Sequence, residues 1–516
     1  MLFNSFEFLL FLPIVFGLYW LVGKSHRWQN ITVFIASHVF YAWWDWRFCF
    51  LLLFTSLMTY FIGLGIEQSE GKRKLQKWLS ATNIIVNVGI LGIFKYFNFF
   101  AESFAELFSA FGIHFDSFTL QLILPVGISF YTFQALGYSI DVYQHKIKAT
   151  HDIFSFMAFI SFFPQLLAGP IERASNMLPQ YQKKRSFDYT LAVDGCRQIL
   201  YGVFKKMVIA DNLAAVVNTA WDSLNDLSGF ALLVYAFAYS MQIYSDFSGY
   251  SDISIGIGKL FGIRIMQNFN YPYFSRNIPD FWRKWHISLM KWFQNYIYFP
   301  LGGSRCSKWK VIRNTFIVFA VSGLWHGANW TFVVWGLYHA LIISVFIFFG
   351  LKSKYIDAES AKQLPSLKVF GQMVLTFVLA TFGWIIFRAD NFTLFAEYVS
   401  KLCSPSIFTI SDFEGKSILA ASFLLLVWEW LMRKRIHGLQ LANHGLLKYK
   451  VCRIVLYYTI LMLIFHEAGK NVQFIYSQFC TTKEPTLYNS LIISTYKIGK
   501  RKRVTIWLLL KFPGLP

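Results

Sequence analysis

Apolar segments of membrane-spanning length alternate with short polar ones along most of the chain. A helix needs about 20 mostly apolar residues to cross a bilayer. The pattern predicts thirteen candidate segments, at 6–22, 31–45, 48–65, 81–98, 121–140, 153–169, 191–210, 229–245, 311–326, 329–350, 370–388, 417–432 and 451–466. Two of these segments fit a membrane span poorly. Segment 153–169 contains Pro164, which predicts a re-entrant segment. Segment 191–210 contains four charged residues, which predicts either an amphipathic helix or charges buried within the bundle. We therefore expect an all-α polytopic membrane protein with about eleven transmembrane helices, plus re-entrant and amphipathic helices.

The loops between these segments indicate how the chain crosses the membrane. Lys and Arg concentrate in loops 23–30 and 67–78, whereas loop 101–120 has three acidic residues and neither Lys nor Arg. Because basic loops stay on the cytoplasmic side, the N-terminus is expected outside. Between residues 153 and 300 the alternation breaks down into mixed charges, Pro, Gly and aromatics. Irregular polar backbone at membrane depth needs protein or a water-filled cavity around it, so we expect a central functional cavity there.

Composition supports a membrane protein and excludes several other classes. Charged residues make up 15% and apolar residues 56% of the chain, with a mean hydropathy of +0.44. Soluble domains carry about 25% charged residues. The net charge of +21 comes from short basic clusters between apolar segments, which is typical of membrane topology rather than of nucleic-acid binding. The six Cys form no CxxC pair and none has a His at metal-ligand spacing, so neither a disulfide framework nor a metal site is expected.

The domain organisation is expected to be simple, with one membrane domain over residues 1–480. The first apolar segment lacks the basic start of a cleavable signal and is interpreted as a membrane helix. The tail 481–516 differs, because it has a polar start, a basic run at 500–503 and an apolar end too short to span. Alternation would place that basic run outside, where it is disfavoured, so either one of the predicted spans is wrong or this tail is an atypical and poorly ordered addition.

Two carboxylates, Asp246 and Asp252, follow the apolar segment 229–245. Acids at membrane depth are costly and are usually paired or functional. They are interpreted either as structural acids, hydrogen-bonded to backbone or paired to Arg264 or Lys259, or as groups that shape a site. The glycines that follow them allow close approach of another helix.

Residues 280–305 interleave Trp and Tyr with Arg and Lys. This pattern is typical of an amphipathic helix at the membrane interface, with an aromatic belt and snorkelling cations. His286 is harder to explain by a belt. Among large apolar groups it is interpreted either as a satisfied structural histidine or as a functional one.

A third polar patch, SGLWHGANW at 322–330, interrupts a long apolar stretch. His326 lies in this patch, and a polar group there needs a partner. Gly323 and Gly327 are interpreted as leaving room for a ligand or a second chain. An imidazole, with its ordinary pKa of about 6.5, can act as a general base at neutral pH. No GxSxG, Walker or HExxH motif is present, so a soluble-type catalytic site is not supported.

These segments together resemble the membrane-bound O-acyltransferase family. The chain is similar in particular to the bacterial branch with the membrane subunit of alginate O-acetylation and the teichoic acid D-alanyltransferase, and the alginate type fits better. The matching segments, in the family's order, are MLFNSFEFLLFLPIVFGLYW, ILPVGISFYTFQALGYSIDVY, FFPQLLAGPIER, YSDFSGYSDISIGIGKLFGI, NFNYPYFSRNIPDFWRKWHISL, YIYFPLGG and SGLWHGANWTFVVWGLYHA. They cover most of residues 1–350, and FIYSQF at 474–479 resembles the family's last motif.

By position, the resemblance implies that His326 is the catalytic histidine and that His286 is a second histidine important for activity. It also implies a set of residues that shape the site, namely Asp246, Asp280, Arg283, Trp325 and Asn329. The implied reaction moves an acyl group, acetyl by default, from a thioester donor to a hydroxyl. The donor, acetyl-CoA or an acyl carrier, is a co-substrate, and no bound cofactor is expected.

The resemblance also implies a setting, which is the bacterial cytoplasmic (inner) membrane. There the acceptor is an exported polysaccharide, and an external SGNH-hydrolase-like partner usually takes part. No role in nucleic-acid binding is implied. Two alternatives remain, a polysaccharide transporter or flippase without covalent chemistry and a structural scaffold. The transporter would use the two histidines and the acids as ligands or proton relays.

Overall fold

The computed structural model describes residues 1–114, 119–120, 122–351, 364–441 and 445–467. Within these ranges the chain forms helices and no strands. The α-helices are α1 (Phe6–Leu21), α2 (His26–Asp45), α3 (Arg47–Gln68), α4 (Arg73–Leu91), α5 (Phe97–Ser109), α6 (Ile128–Tyr143), α7 (Ile153–Ser161), α8 (Phe163–Leu166), α9 (Ala174–Tyr181), α10 (Tyr189–Val203), α11 (Asp211–Asp222), α12 (Gly229–Leu260), α13 (Ile278–Lys284), α14 (Ile287–Phe293), α15 (Lys308–His326), α16 (Trp330–Phe348), α17 (Leu367–Arg388), α18 (Phe392–Leu402), α19 (Lys416–Met432) and α20 (Lys450–His466). π-Helical turns occur at Gly92–Tyr96, Phe204–Ala210 and Gln294–Tyr298. The tail 481–516 and the FIYSQF segment lie outside the described residues.

Several of these helices have the length and composition of membrane spans. Among the described residues, four segments meet that criterion: α3, the continuous α4–α5 segment Arg73–Ser109, α16 and α17. α1 is apolar but shorter. α12 is longer, at 32 residues, but most of its polar side chains are buried inside the bundle. The predicted membrane character is therefore confirmed, while the count of about eleven spans stays a prediction.

The two central helices, α10 and α12, approach each other through pairs of glycines. A Cβ placed on Gly195 would lie 2.7 Å from the carbonyl oxygen of Gly256, and a Cβ on Gly256 would lie 2.7 Å from that of Gly195. Gly202 and Gly249 face each other in the same way, at 2.5 and 2.8 Å. The prediction that the glycines after Asp246 allow close helix approach is confirmed for Gly249 and Gly256.

This close approach makes Gly202 intolerant of a side chain. We expect Gly202→Ala to lower the free energy of unfolding by about 1–3 kcal/mol, because the new Cβ would also lie 2.8 Å from Ile253 Cγ1 and force the helices apart. The matched control is Gly371→Ala in α17, where a Cβ would meet no atom within 4 Å. Thermal unfolding of both variants in detergent would measure the difference. Equal midpoints for the two variants would contradict the packing argument.

Buried ion pairs join the segment after α10 to α12. Lys205 Nζ lies 2.7 Å from Asp252 Oδ2. Lys206 Nζ lies 2.6 Å from Asp246 Oδ1 and 2.7 Å from Asp211 Oδ1. Of the four charged residues in 191–210, Lys205 and Lys206 are buried inside the bundle, as one of the two interpretations of this segment expected.

The predicted partners of these acids are wrong. Asp246 and Asp252 pair with the adjacent lysines of the neighbouring segment rather than with Arg264 or Lys259. Lys259 instead lies 2.5 Å from Asp194 of α10. The pairing is decided by which helix packs beside α12, and no sequence spacing along α12 carries that information.

The segment predicted to be re-entrant is broken into short helices. α7 has nine residues and α8 only four, and the break between them falls at Phe162, two residues before Pro164. Neither piece is long enough to cross a bilayer, which takes about 20 residues. The loop that follows is anchored by Glu172, which accepts hydrogen bonds from Asn176 Nδ2 (2.8 Å) and from the backbone N–H of Met266.

Candidate active site

Residues 280–305 do not form the single interfacial helix that their composition suggests. They fold into α13, α14 and a π-helical turn, and the break between the helices falls at His286. Trp282, Trp285 and Trp292 are at most 7% exposed. For these three residues the predicted aromatic belt is therefore wrong, because their indoles pack into the core of the bundle. Periodicity cannot distinguish a buried aromatic cluster from a lipid-facing one.

The backbone at His286 adopts a conformation that side chains rarely take. Its φ of 45° and ψ of 52° lie in the left-handed region, which costs a non-glycine residue about 1 kcal/mol or more. Such strain persists only where the surrounding structure fixes the residue. His286 is 1% exposed, and the ring of Phe247 packs edge-on against its imidazole at 4.6 Å.

Asn268, in the loop before α13, fixes the imidazole of His286. Its Oδ1 accepts hydrogen bonds from the backbone N–H (3.2 Å) and the hydroxyl (2.9 Å) of Ser288, and it lies 3.2 Å from His286 Nδ1. Since a backbone N–H can only donate, the Asn268 oxygen is fixed in this place and Nδ1 must carry the proton. In the neutral ring Nε2 is then an acceptor, and it has no hydrogen-bond partner among the described residues.

His326 is the last residue of α15 and is 4% exposed. Its ring packs against Trp335 of α16, with ring centroids 5.0 Å apart, and against Phe387 of α17, at 5.3 Å. The next residue, Gly327, is extended, so the chain turns away from the helix axis directly after the histidine. The end of α15 and the two neighbouring helices α16 and α17 therefore hold this imidazole in place.

The glycines beside His326 leave no room for a ligand. A Cβ on Gly323 would collide with the backbone carbonyl of Phe332, and a Cβ on Gly327 would collide with the ring of the same residue. The interpretation of these glycines as space for a ligand or a second chain is therefore wrong. That space is filled by α16 of the same chain, which packs closely on α15.

Trp325 packs against both histidines. Its ring centroid is 5.8 Å from that of His286 and 5.0 Å from that of His326, and the two imidazoles lie within electrostatic range of each other. Phe130 and Phe133 of α6 pack on the same indole, at 5.5 and 5.7 Å. Motifs that are far apart in sequence therefore meet at one buried point, with two imidazoles beside it.

The other predicted site residues take part in local structure. Asp280 Oδ2 lies 2.9 Å from Lys284 Nζ within α13. Asn329 begins α16, since its side chain accepts from the N–H of Thr331 (2.9 Å) and donates to the carbonyl of Asp390 (2.7 Å). Arg283 is exposed, while its neighbours in α13 are buried. The carboxylate of Asp246 pairs with Lys206. Of the predicted set, the structure brings together His286, Trp325 and His326.

Sequence reasoning missed three residues at this site. Asn268 is a single polar residue in a loop, and no pattern distinguishes it. Lys95 and Tyr96 contact the end of α15 that carries His326. A signal for Lys95 did exist, because a lysine inside the apolar segment 81–98 marks a functional position by default.

Comparison with known proteins agrees with the family resemblance of the sequence. The model of the membrane-bound O-acyltransferase family matches residues 27–385. The probable alginate O-acetylase of Pseudomonas aeruginosa is 40% identical, over 84% of this chain and 80% of that protein. The peptidoglycan O-acetyltransferase of Helicobacter pylori is 36% identical, over 76% and 77% of the two chains. The teichoic acid D-alanyltransferase of Bacillus subtilis is 32% identical, over 53% and 70%.

Proposed function

This chain belongs to the membrane-bound O-acyltransferase family and is an acyltransferase, and we propose that it moves an acetyl group from a cytoplasmic thioester to hydroxyls of an exported polysaccharide. The donor is acetyl-CoA or an acetylated carrier protein. The acceptor receives the group directly or through an external SGNH-hydrolase-like protein. The chain acts in the cytoplasmic membrane of a bacterium, with about eleven spans around the site.

The observation that carries this proposal is the meeting of His286 and His326 at Trp325. Two buried imidazoles at one point, in a chain of this family, fit a reaction that needs one proton acceptor and one group to orient an alcohol. The relatives that are named O-acetyltransferases or O-acetylases support acetyl as the transferred group and a polysaccharide as the acceptor.

The proposed mechanism assigns the base to His326. Its imidazole takes the proton of the acceptor hydroxyl while the oxygen attacks the thioester carbonyl. The new C–O bond forms a tetrahedral oxyanion, which collapses as the C–S bond breaks. The imidazolium then returns its proton to the leaving thiolate, so the products are an ester and a free thiol and no proton is released.

The tautomer of His286 limits what this residue can do. Because Nδ1 donates towards Asn268, the unprotonated Nε2 can accept a hydrogen bond but cannot donate one to an oxyanion. The proton of the attacking hydroxyl goes to His326, so we assign His286 to orienting the acceptor through a hydroxyl other than the attacking one, rather than to stabilising the developing charge.

The reaction can be tested with the full chain in lipid nanodiscs. We expect radiolabelled acetyl-CoA, or acetylated acyl carrier protein, to be consumed when alginate oligomers are added, with one thiol released for each base-labile ester formed. A transporter would move oligomers across a proteoliposome membrane without releasing thiol. Oligomer uptake with an intact thioester pool would therefore contradict the proposed function.

A further inference from the structure

The helix end that carries His326 is held by side chains from another part of the chain. The last four carbonyls of an α-helix have no partner within the helix. A left-handed residue after the helix often satisfies some of them, but Gly327 is extended, with φ of −171°. At this end Tyr96 Oη donates to the carbonyl of Leu324 (2.7 Å), and Lys95 Nζ donates to that of Trp325.

Both donors come from the π-helical turn Gly92–Tyr96, which joins α4 to α5. π-Turns inside α-helices are often found at functional sites. The ammonium of Lys95 also lies 5.7 Å from the ring centroid of Trp325 and within electrostatic range of His326. A cation at the C-terminus of a helix is favoured by the helix dipole. The contact therefore combines a hydrogen bond, a cation–π contact and a dipole interaction at one helix end.

Packing alone does not explain why Lys95 lies at this position. A charged side chain on an apolar membrane segment is costly and usually functional. Here its bond is to the residue whose indole contacts both histidines and whose carbonyl directly precedes His326. A displacement of about 1 Å in a reacting group can cost about 100-fold in rate.

We propose that Lys95 is a positioning residue for acyl transfer, holding the last turn of α15 so that His326 faces the reacting hydroxyl, with Tyr96 as its companion. This proposal rests on the proposed function, in which His326 is the base. Lys95 acts through His326 and Trp325 and does not itself exchange a proton with the substrate.

The test compares Lys95→Met, Lys95→Arg and Tyr96→Phe in the thioester assay. We expect Lys95→Met to lower kcat by about 10- to 100-fold with the KM for acetyl-CoA changed by less than about 3-fold. Lys95→Arg keeps a cation and donors at the helix end, so it should recover most of kcat. Tyr96→Phe removes one bond and should give a smaller loss, which keeps the test informative if Lys95→Met folds poorly.

Lys401→Met is the matched control. Lys401 Nζ also donates to backbone carbonyls, those of Leu224 (2.8 Å) and Leu227 (3.3 Å), in a turn outside the histidine site. It should leave kcat unchanged. A kcat loss in Lys401→Met equal to that in Lys95→Met, an unchanged kcat in Lys95→Met, or a raised KM with kcat intact would each overturn the positioning role.

A further variant separates this proposal from the one on which it rests. If the unmodified protein releases no thiol, the proposed function fails and the positioning role fails with it. If His326→Gln retains full activity, the assignment of His326 as the base fails, and the positioning role that acts through it fails too. If His326→Gln is inactive while Lys95→Met is fully active, only the positioning role fails.

Discussion

Replacement of His326 by Gln is expected to lower the rate of acyl transfer by about 10²- to 10⁴-fold, the contribution of a positioned general base. Gln keeps a polar side chain of similar length between Trp335 and Phe387, so the buried site should remain filled. The amide cannot take the proton of the attacking hydroxyl. Thioester turnover and ester formation should therefore fall together, while binding of the donor changes little.

His466→Gln is the matched control for this variant. Like His326, His466 is the last residue of its helix, but its side chain is 81% exposed and pairs with Glu467 at 2.9 Å. We expect normal activity. In a producing bacterium, ester-linked acetyl on the exported polysaccharide should disappear in His326→Gln at an unchanged protein level in the membrane. Retained ester would remove His326 as the base.

Sequence could predict His326 because the patch around it interrupts a long apolar segment. A polar side chain in such a place requires a local reason, whatever the fold. The same argument pointed to Asp246 and Asp252, but it could not tell a structural ion pair from a substrate contact. That difference depends on Lys205 and Lys206, which lie on a neighbouring segment and meet α12 only after the glycine pairs bring the helices together.

Features that depend on tertiary packing could not be predicted from the sequence. The aromatic residues of 280–305 predicted an interfacial belt. Trp and Tyr are enriched both at interfaces and in cores, so the sequence alone does not distinguish the two. The left-handed backbone conformation at the break between α13 and α14 is adopted by His286, so no glycine in the sequence indicates it. Asn268 gains its role only because Ser288 and His286 turn back over it. In each case the missing information is the position of a second element.

The largest expected effect on stability is that of Lys206→Met. The ammonium of Lys206 lies between Asp246 and Asp211, and all three side chains are at most 8% exposed. Methionine fills the space of the lysine stem but leaves two buried carboxylates without their cation. Breaking a buried ion pair in this way costs about 3–5 kcal/mol. We expect a corresponding fall in the free energy of unfolding, measured by denaturant titration in detergent.

The source of that loss can be isolated by removing the charges together. In the triple variant Lys206→Met, Asp246→Asn, Asp211→Asn no unpaired charge remains, and most of the stability should return, since replacing a whole buried ion cluster is often neutral. Lys416→Met breaks the exposed pair with Asp412, at 2.5 Å, and should leave unfolding unchanged. If the triple variant is no more stable than Lys206→Met alone, the loss comes from the lysine's packing and not from the charges left behind. Acyl transfer that recovers along with stability in the triple variant would place Asp246 in the scaffold of the site. A stable but inactive triple variant would instead show that at least one of the three charged groups takes part in the reaction.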